Sequence, residues 1–145
     1  MIFLLKRLFK KVNFYMKKKN NLKLAKEWFK IGKEELGFAK AAFEDLNAFY
    51  PQICFQCQQA VEKYLKGFLI YHQKTFPKIH DLVELIKICS KINKKFLKFS
   101  KKAAVLSQYY LTSRYPIEYP PAKKKEAKEA LKIANKIIDF INKTL

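Results

Sequence analysis

Between Asn21 and Asn47, Ala25, Trp28, Gly32, Leu36, Ala39, Phe43 and Leu46 recur every three or four residues. That spacing lines one stripe of a long α-helix and suits neither face of a strand. Tyr50 and Pro51 mark a restart, because proline fits a helix's first turn and disfavours helical geometry in the residue before it. A second helix is predicted from about Pro51 to His72. QKTFPKIHD interrupts the pattern, and Leu82, Leu85, Ile86 and Cys89 define a short third helix. A fourth is predicted over Lys94 to Ser113. Pro120 and Pro121 precede a last helix in which Ala127, Leu131, Ala134, Ile138, Ile141 and Leu145 step by three or four. Only three glycines and five prolines stand among 145 residues, half of them apolar, so turn-rich β architectures are excluded and the fold class is all-α. A chain of this length buries its own core without disulfides or a metal.

Residues 1–19, MIFLLKRLFKKVNFYMKKK, hold six lysines, one arginine and no acid. They read as a basic N-terminal extension preceding a domain at residues 20–145. Met16, ahead of KKKNN, is an alternative start of translation, which would make the extension an over-extended gene start. The competing expectation is a basic amphipathic helix lying on a membrane or a partner. Charges interrupt the apolar run and no small-residue cleavage site follows, unlike a secretory signal. No apolar run approaches the roughly 18 residues that cross a bilayer, so integral membrane contact is not expected. An odd cysteine count favours a reducing, cytoplasmic setting.

Cys54 and Cys57 have the spacing that redox and zinc sites use, but at about 100° per residue they share one side of the second helix with Val61, Tyr64, Leu65 and Phe68. They are expected in the core. A zinc site would need two further ligands, and the remaining candidates are Cys89 and the distant His72 and His80. About a third of a turn away, Phe55, Gln59, Glu62 and Lys66 form a second sector, with Lys63 nearby. This is either an exposed face with a Glu62–Lys66 pair or a second contact surface.

The string CFQCQQAVEKYLKGFLI, followed by IHDLVELI and YYLTSRYP before a lysine- and alanine-rich last helix, resembles the HEPN domain (higher eukaryotes and prokaryotes nucleotide-binding) over about residues 20 to 145. The resemblance implies an up-and-down bundle of four to five helices, often homodimeric, related to the substrate-binding domain of nucleotidyltransferases. It also implies a minimal nucleotidyltransferase as partner, in pairs that behave as toxin and antitoxin. By position, Gln59, Glu62, Lys63 and Lys66 match the family's second-helix run, His80 and Asp81 its third-helix start, and Arg114 with Tyr115 its arginine motif. His80 and Asp81 are also ordinary helix-start residues, and Tyr115 with Pro116 is equally the composition of a simple turn.

The net charge of +19 fits nucleic acid, nucleotides, acidic membranes or an acidic partner, though it equally fits an ordinary solvated surface. Between Glu84 and Glu118 no acid occurs, while Lys87, Lys91, Lys94, Lys95, Lys98, Lys101, Lys102 and Arg114 contribute eight positive charges. Tyr109, Tyr110, Tyr115 and Tyr119 lie near the end of that stretch, and cations among stacking rings suit nucleotides or single-stranded RNA. Together with the resemblance, which implies Lys63 and Lys66, this makes Arg114, Tyr115, Tyr119, Lys66 and Lys63 the candidate nucleotide-binding residues. Gln59, Glu62, His80, Asp81 and Phe55 are supporting or interface candidates.

Part of the family cleaves RNA, and there the resemblance implies a histidine after the arginine with four to six residues between them. Here those positions hold Tyr119, Pro120 and Pro121, and a phenol with a pKa near 10 is a poor base at neutral pH. A glycine-rich phosphate loop, a metal-ligand cluster and a paired-carboxylate site are also missing from the sequence. The expectation is a non-catalytic nucleotide- or substrate-binding subunit that requires no cofactor and takes a ligand such as ATP. The rivals are an RNase toxin in which His80 or His72 replaces the missing histidine, and a dimeric interaction module without a small-molecule ligand.

Overall fold

The computed structural model describes residues 2–112, 114–116 and 120–145, and these form helices and connections with no strand among them. Helix α1 spans Ile2–Asp45, α2 Tyr50–Tyr71 and α3 Leu82–Ser90. A 3₁₀ segment, Lys94–Phe99, leads into α4 (Ser100–Ser107) and α5 (Tyr109–Thr112), and α6 covers Lys124–Thr144. The bundle expected from the sequence is present, with two differences. Helix α1 starts at Ile2 rather than near Asn21, because residues 2–20 contain no glycine or proline to end it. The expected fourth helix is divided, since Asn93 caps a 3₁₀ turn by accepting from Lys95 N at 3.1 Å and the chain breaks again at Gln108.

Residues 46–49 reverse the chain, with Asn47 and Phe49 at positive φ (45° and 60°). Helix α2 therefore returns along α1, and the contacts run antiparallel: Phe43 meets Tyr50, Gly32 meets Tyr64, and Phe29 meets Gly67. The two glycines set the approach. A Cβ on Gly32 would stand 2.7 Å from the Tyr64 ring, and one on Gly67 would stand 2.6 Å from the Phe29 ring. Either substitution forces bulky aromatic side chains to move in a packed core.

Helix α2 is the axis of the molecule and touches α1, α3, α4, α5 and α6. Thirteen of its residues are buried. Phe68 packs on Phe96, whose other neighbour is Phe140 of α6. Ala127, Leu131, Ala134, Ile138 and Ile141 turn inward as their spacing requires, whereas Leu46 and Leu145 at the helix ends are 52% and 43% exposed. Cys54, Cys57 and Cys89 are free thiols inside this core. Burial pushes Cys54 and Cys89 up to about 12 and raises Cys57 as well, so the thiolates that redox and metal chemistry need are strongly disfavoured.

Candidate functional site

The polar residues of α2 follow one row at four-residue spacing, Gln58, Glu62 and Lys66, and all three are buried, at 0%, 3% and 6% exposure. Of the two readings of this sector, the exposed face does not hold for Glu62 and Lys66, although the two are paired as their spacing allows. Helix α2 is covered on that side by α1 and by the connection leading to α3, so a sector that looks exposed on an isolated helix lies inside the bundle. Buried charges require partners, and Glu62 has several. His80 Nδ1 donates to its Oε1 at 2.9 Å, and Gln58 Nε2 donates to the same oxygen at 3.4 Å. Lys66 Nζ donates to Oε2 at 3.5 Å. The Lys66 ammonium also lies 5.2 Å from the Phe76 ring centroid and 5.8 Å from that of Trp28, two rings that meet edge to face.

A second chain of contacts joins α2 to α1. Gln59 Nε2 donates to Gln58 Oε1 at 2.7 Å, and Lys63 Nζ donates to Gln59 Oε1 at 3.1 Å and to Glu35 Oε1 at 3.3 Å. Burial raises the Glu35 pKa and Lys63 opposes that rise. Lys63 and Lys66, both candidate nucleotide-binding residues by sequence, are thus each engaged by a carboxylate of the same chain.

From Glu62 the contacts lead to the surface. His80 is 47% exposed at its side chain, and its ring stacks on Tyr110 with centroids 4.1 Å apart and planes 15° from parallel. The Tyr110 hydroxyl accepts from Arg114 Nη1, and the guanidinium carbon stands 5.0 Å from the same ring. Phe55 approaches Tyr110 from α2 at 6.4 Å. Glu62, His80, Tyr110 and Arg114 therefore form one connected series from the interior to an exposed cation. The four-residue step from Tyr110 to Arg114 puts the arginine above the ring. With Nδ1–H of His80 directed at a carboxylate, Nε2 of the neutral ring carries a lone pair.

The other expected residues have different places. Asp81 caps α3, its Oδ1 accepting from Val83 N at 2.9 Å and from Ser107 Oγ at 3.5 Å. This ties the start of α3 to the end of α4. Tyr115 is 59% exposed and lines a cleft of about 770 Å³ with Pro51, Thr112, Pro116 and Pro121. Tyr119 lies outside the described residues. His72 packs against Phe68 at 4.5 Å near the far end of α2 and joins neither Tyr110 nor Arg114 among the described contacts. Burial lowers its pKa.

The basic surface expected across the third and fourth helices is also rearranged. Lys98 and Lys102 meet Lys136 and Lys143 of α6 around Phe140, in a cleft of about 520 Å³ that Arg114 does not line. Lys98 Nζ stands 4.5 Å from the Phe140 ring centroid. Sequence reading did not single out Gln58 or Glu35, and it treated Tyr110 as a stacking surface without choosing it as a site residue. The Gln58–Glu62–Lys66 row and the Tyr110–Arg114 step were both visible as four-residue spacings.

Residues 25–144 match the HEPN domain. No curated protein matches the chain. Among solved structures, TT1696 from Thermus thermophilus is 28% identical, with a TM-score of 0.71 over 83% of this chain and 98% of that one. ST0689, described as an archaeal HEPN homologue, superposes with a TM-score of 0.63 at 22% identity, over 83% of this chain and 96% of that one. The second likeness concerns the fold alone.

Proposed function

Because the chain belongs to the HEPN family, we propose that it is a non-catalytic subunit that binds a nucleotide such as ATP, or another phosphorylated substrate, for a separate minimal nucleotidyltransferase. The observation that carries this reading is the exposed Arg114 guanidinium held on Tyr110, with Tyr110 in turn stacked on a histidine anchored by a buried carboxylate. A guanidinium restrained in this way loses little freedom when it clamps a phosphate, and Tyr115 beside it offers a ring to a base. Lys63 and Lys66 act here as internal counter-charges that hold the site's shape. A homodimer would use the outer edge of α1, where Leu24, Ile31 and Phe38 are exposed at seven-residue intervals. The nucleotidyltransferase supplies the chemistry, in a pair with toxin–antitoxin character, in the cytoplasm.

One observation favours a second reading. His80, far upstream in sequence, stacks on the ring that carries Arg114, so a histidine and an arginine converge although the expected histidine after Arg114 is absent. An RNase would use His80 Nε2 as the base for the 2′-hydroxyl and Arg114 for the phosphate. Titration of ATP into wild type and Arg114→Ala, with RNA incubated in chelator alongside, separates the two. ATP binding that the substitution weakens, without RNA cleavage, fits the binding subunit. RNA cleavage lost in both Arg114→Ala and His80→Ala selects the nuclease. Equal ATP affinity in both proteins, or none in either, contradicts the proposed site.

A further inference from the structure

The first part of α1 projects from the bundle: every residue from Ile2 to Asn20 is exposed, and at 1.5 Å per residue the segment extends about 28 Å. The HEPN match begins at residue 25, so this segment lies outside it. At about 100° per residue, Ile2, Leu4, Leu5, Leu8, Phe9 and Val12 fall in an arc about 160° wide. Lys6, Arg7, Lys10, Lys11, Lys17 and Lys18 occupy the complementary arc, joined there by Phe3 and Phe14, whereas Tyr15 and Met16 continue the apolar arc and Lys19, back in its middle, ends it.

The direction of the apolar arc is a second, separate observation. On the same helix Ala25, Gly32, Leu36 and Ala39 face the bundle, and their mean direction lies about 150° from the centre of the apolar arc. The stripe opens away from the molecule's own core. It is broader than the seam of a two-stranded coiled coil. A second copy of the segment would add seven positive charges and no acid, since the chain's first acid is Glu27. Nucleic acid would engage the basic arc and leave the apolar arc in water.

We propose that residues 2–18 lie flat on an anionic lipid surface and anchor the bundle peripherally. The apolar arc enters the headgroup boundary, lysines at its edges reach anionic headgroups, and the bundle stands on the water side. No helix among the described residues is long and apolar enough to cross a membrane, consistent with a helix that rests on the bilayer. This proposal is independent of the ligand assigned to Arg114.

Flotation of the full 145-residue chain with phosphatidylglycerol-containing vesicles tests it, against phosphatidylcholine vesicles and against the Leu8→Glu/Val12→Glu variant. Wild type should float with the anionic vesicles and less so in high salt. The double variant should partition at least about tenfold more weakly while keeping its thermal melt. The proposal is overturned if wild type does not float, or if the variant floats equally, which would assign binding to lysines of the bundle. It is also overturned if light scattering finds a dimer that the variant dissociates and no lipid binding accompanies it.

Discussion

Helix α2 and the start of α1 depart from ordinary burial in opposite directions. In α2, Gln58, Glu62 and Lys66 are inside. In α1, Ile2, Phe3, Leu4, Leu5, Leu8 and Phe9 are between 53% and 90% exposed. A buried charge and an exposed apolar surface are the two departures that carry information, since exposed charges and buried leucines are the default. Their causes differ. The buried row of α2 is held by hydrogen bonds to its own chain and gives His80, Tyr110 and Arg114 a fixed geometry, whereas none of the described residues covers the apolar start of α1. One is a finished internal network and the other a surface that requires a partner.

The largest effect expected from disturbing this contrast is at Glu62. Glu62→Ala leaves Lys66 as an uncompensated buried cation and removes the anchor of His80, which should cost about 3–5 kcal/mol of unfolding free energy in denaturant titrations. A loss below about 1 kcal/mol would mean that water reaches Lys66 and that the interior is not sealed. Gly67→Ala comes next: its new Cβ meets the Phe29 ring, and a loss of about 1–3 kcal/mol follows if α1 and α2 cannot separate. Arg114→Ala should leave stability within about 0.5 kcal/mol, because the side chain is exposed. Its effect should appear in ligand affinity, as a loss of about ten- to a hundredfold, the worth of a hydrogen bond to a charged group. Leu8→Glu should likewise leave the melting temperature unchanged, the opposite of any apolar-to-charged change within α2.

The smallest effect is a pH slope at His72. Burial lowers its pKa in the fold below the ordinary 6.5, so the unfolded chain takes up the proton first as pH falls. Stability should therefore decline from about pH 6.5 downward until the folded pKa is passed, and then level off. His72→Gln should flatten that decline in denaturant titrations between pH 7 and 5, and an unchanged slope would place its origin elsewhere.

The helices were legible where their period faced a single neighbour. The stripe of α6 and the Gly32 and Ala39 positions of α1 go inward as their spacing requires. The buried side of Glu62 and Lys66 was not legible, because a helical wheel gives the angle between two faces but not how many helices surround them. The cap role of Asp81 could be read from its place before an apolar run, and Asp81 does cap α3. The convergence of His80 and Arg114 could not, since those residues are 34 apart in the chain and meet only through the stacking of Tyr110. Similarly, the lysines of the third and fourth helices read as one basic surface ending at Arg114, yet α6 gathers two of them into a separate cleft.

Those two cation sites, Arg114 on Tyr110 and the lysines around Phe140, offer the most direct test of the central claim. Photo-crosslinking with 8-azido-ATP in the presence and absence of excess ATP, followed by mass spectrometry, reports which of them holds the nucleotide. The account predicts competable labelling within residues 103–123, on Tyr110 or Tyr115, and its loss in Arg114→Ala. Competable labelling confined to the peptides of Lys98, Lys102, Lys136 and Lys143, or none at all, would contradict it.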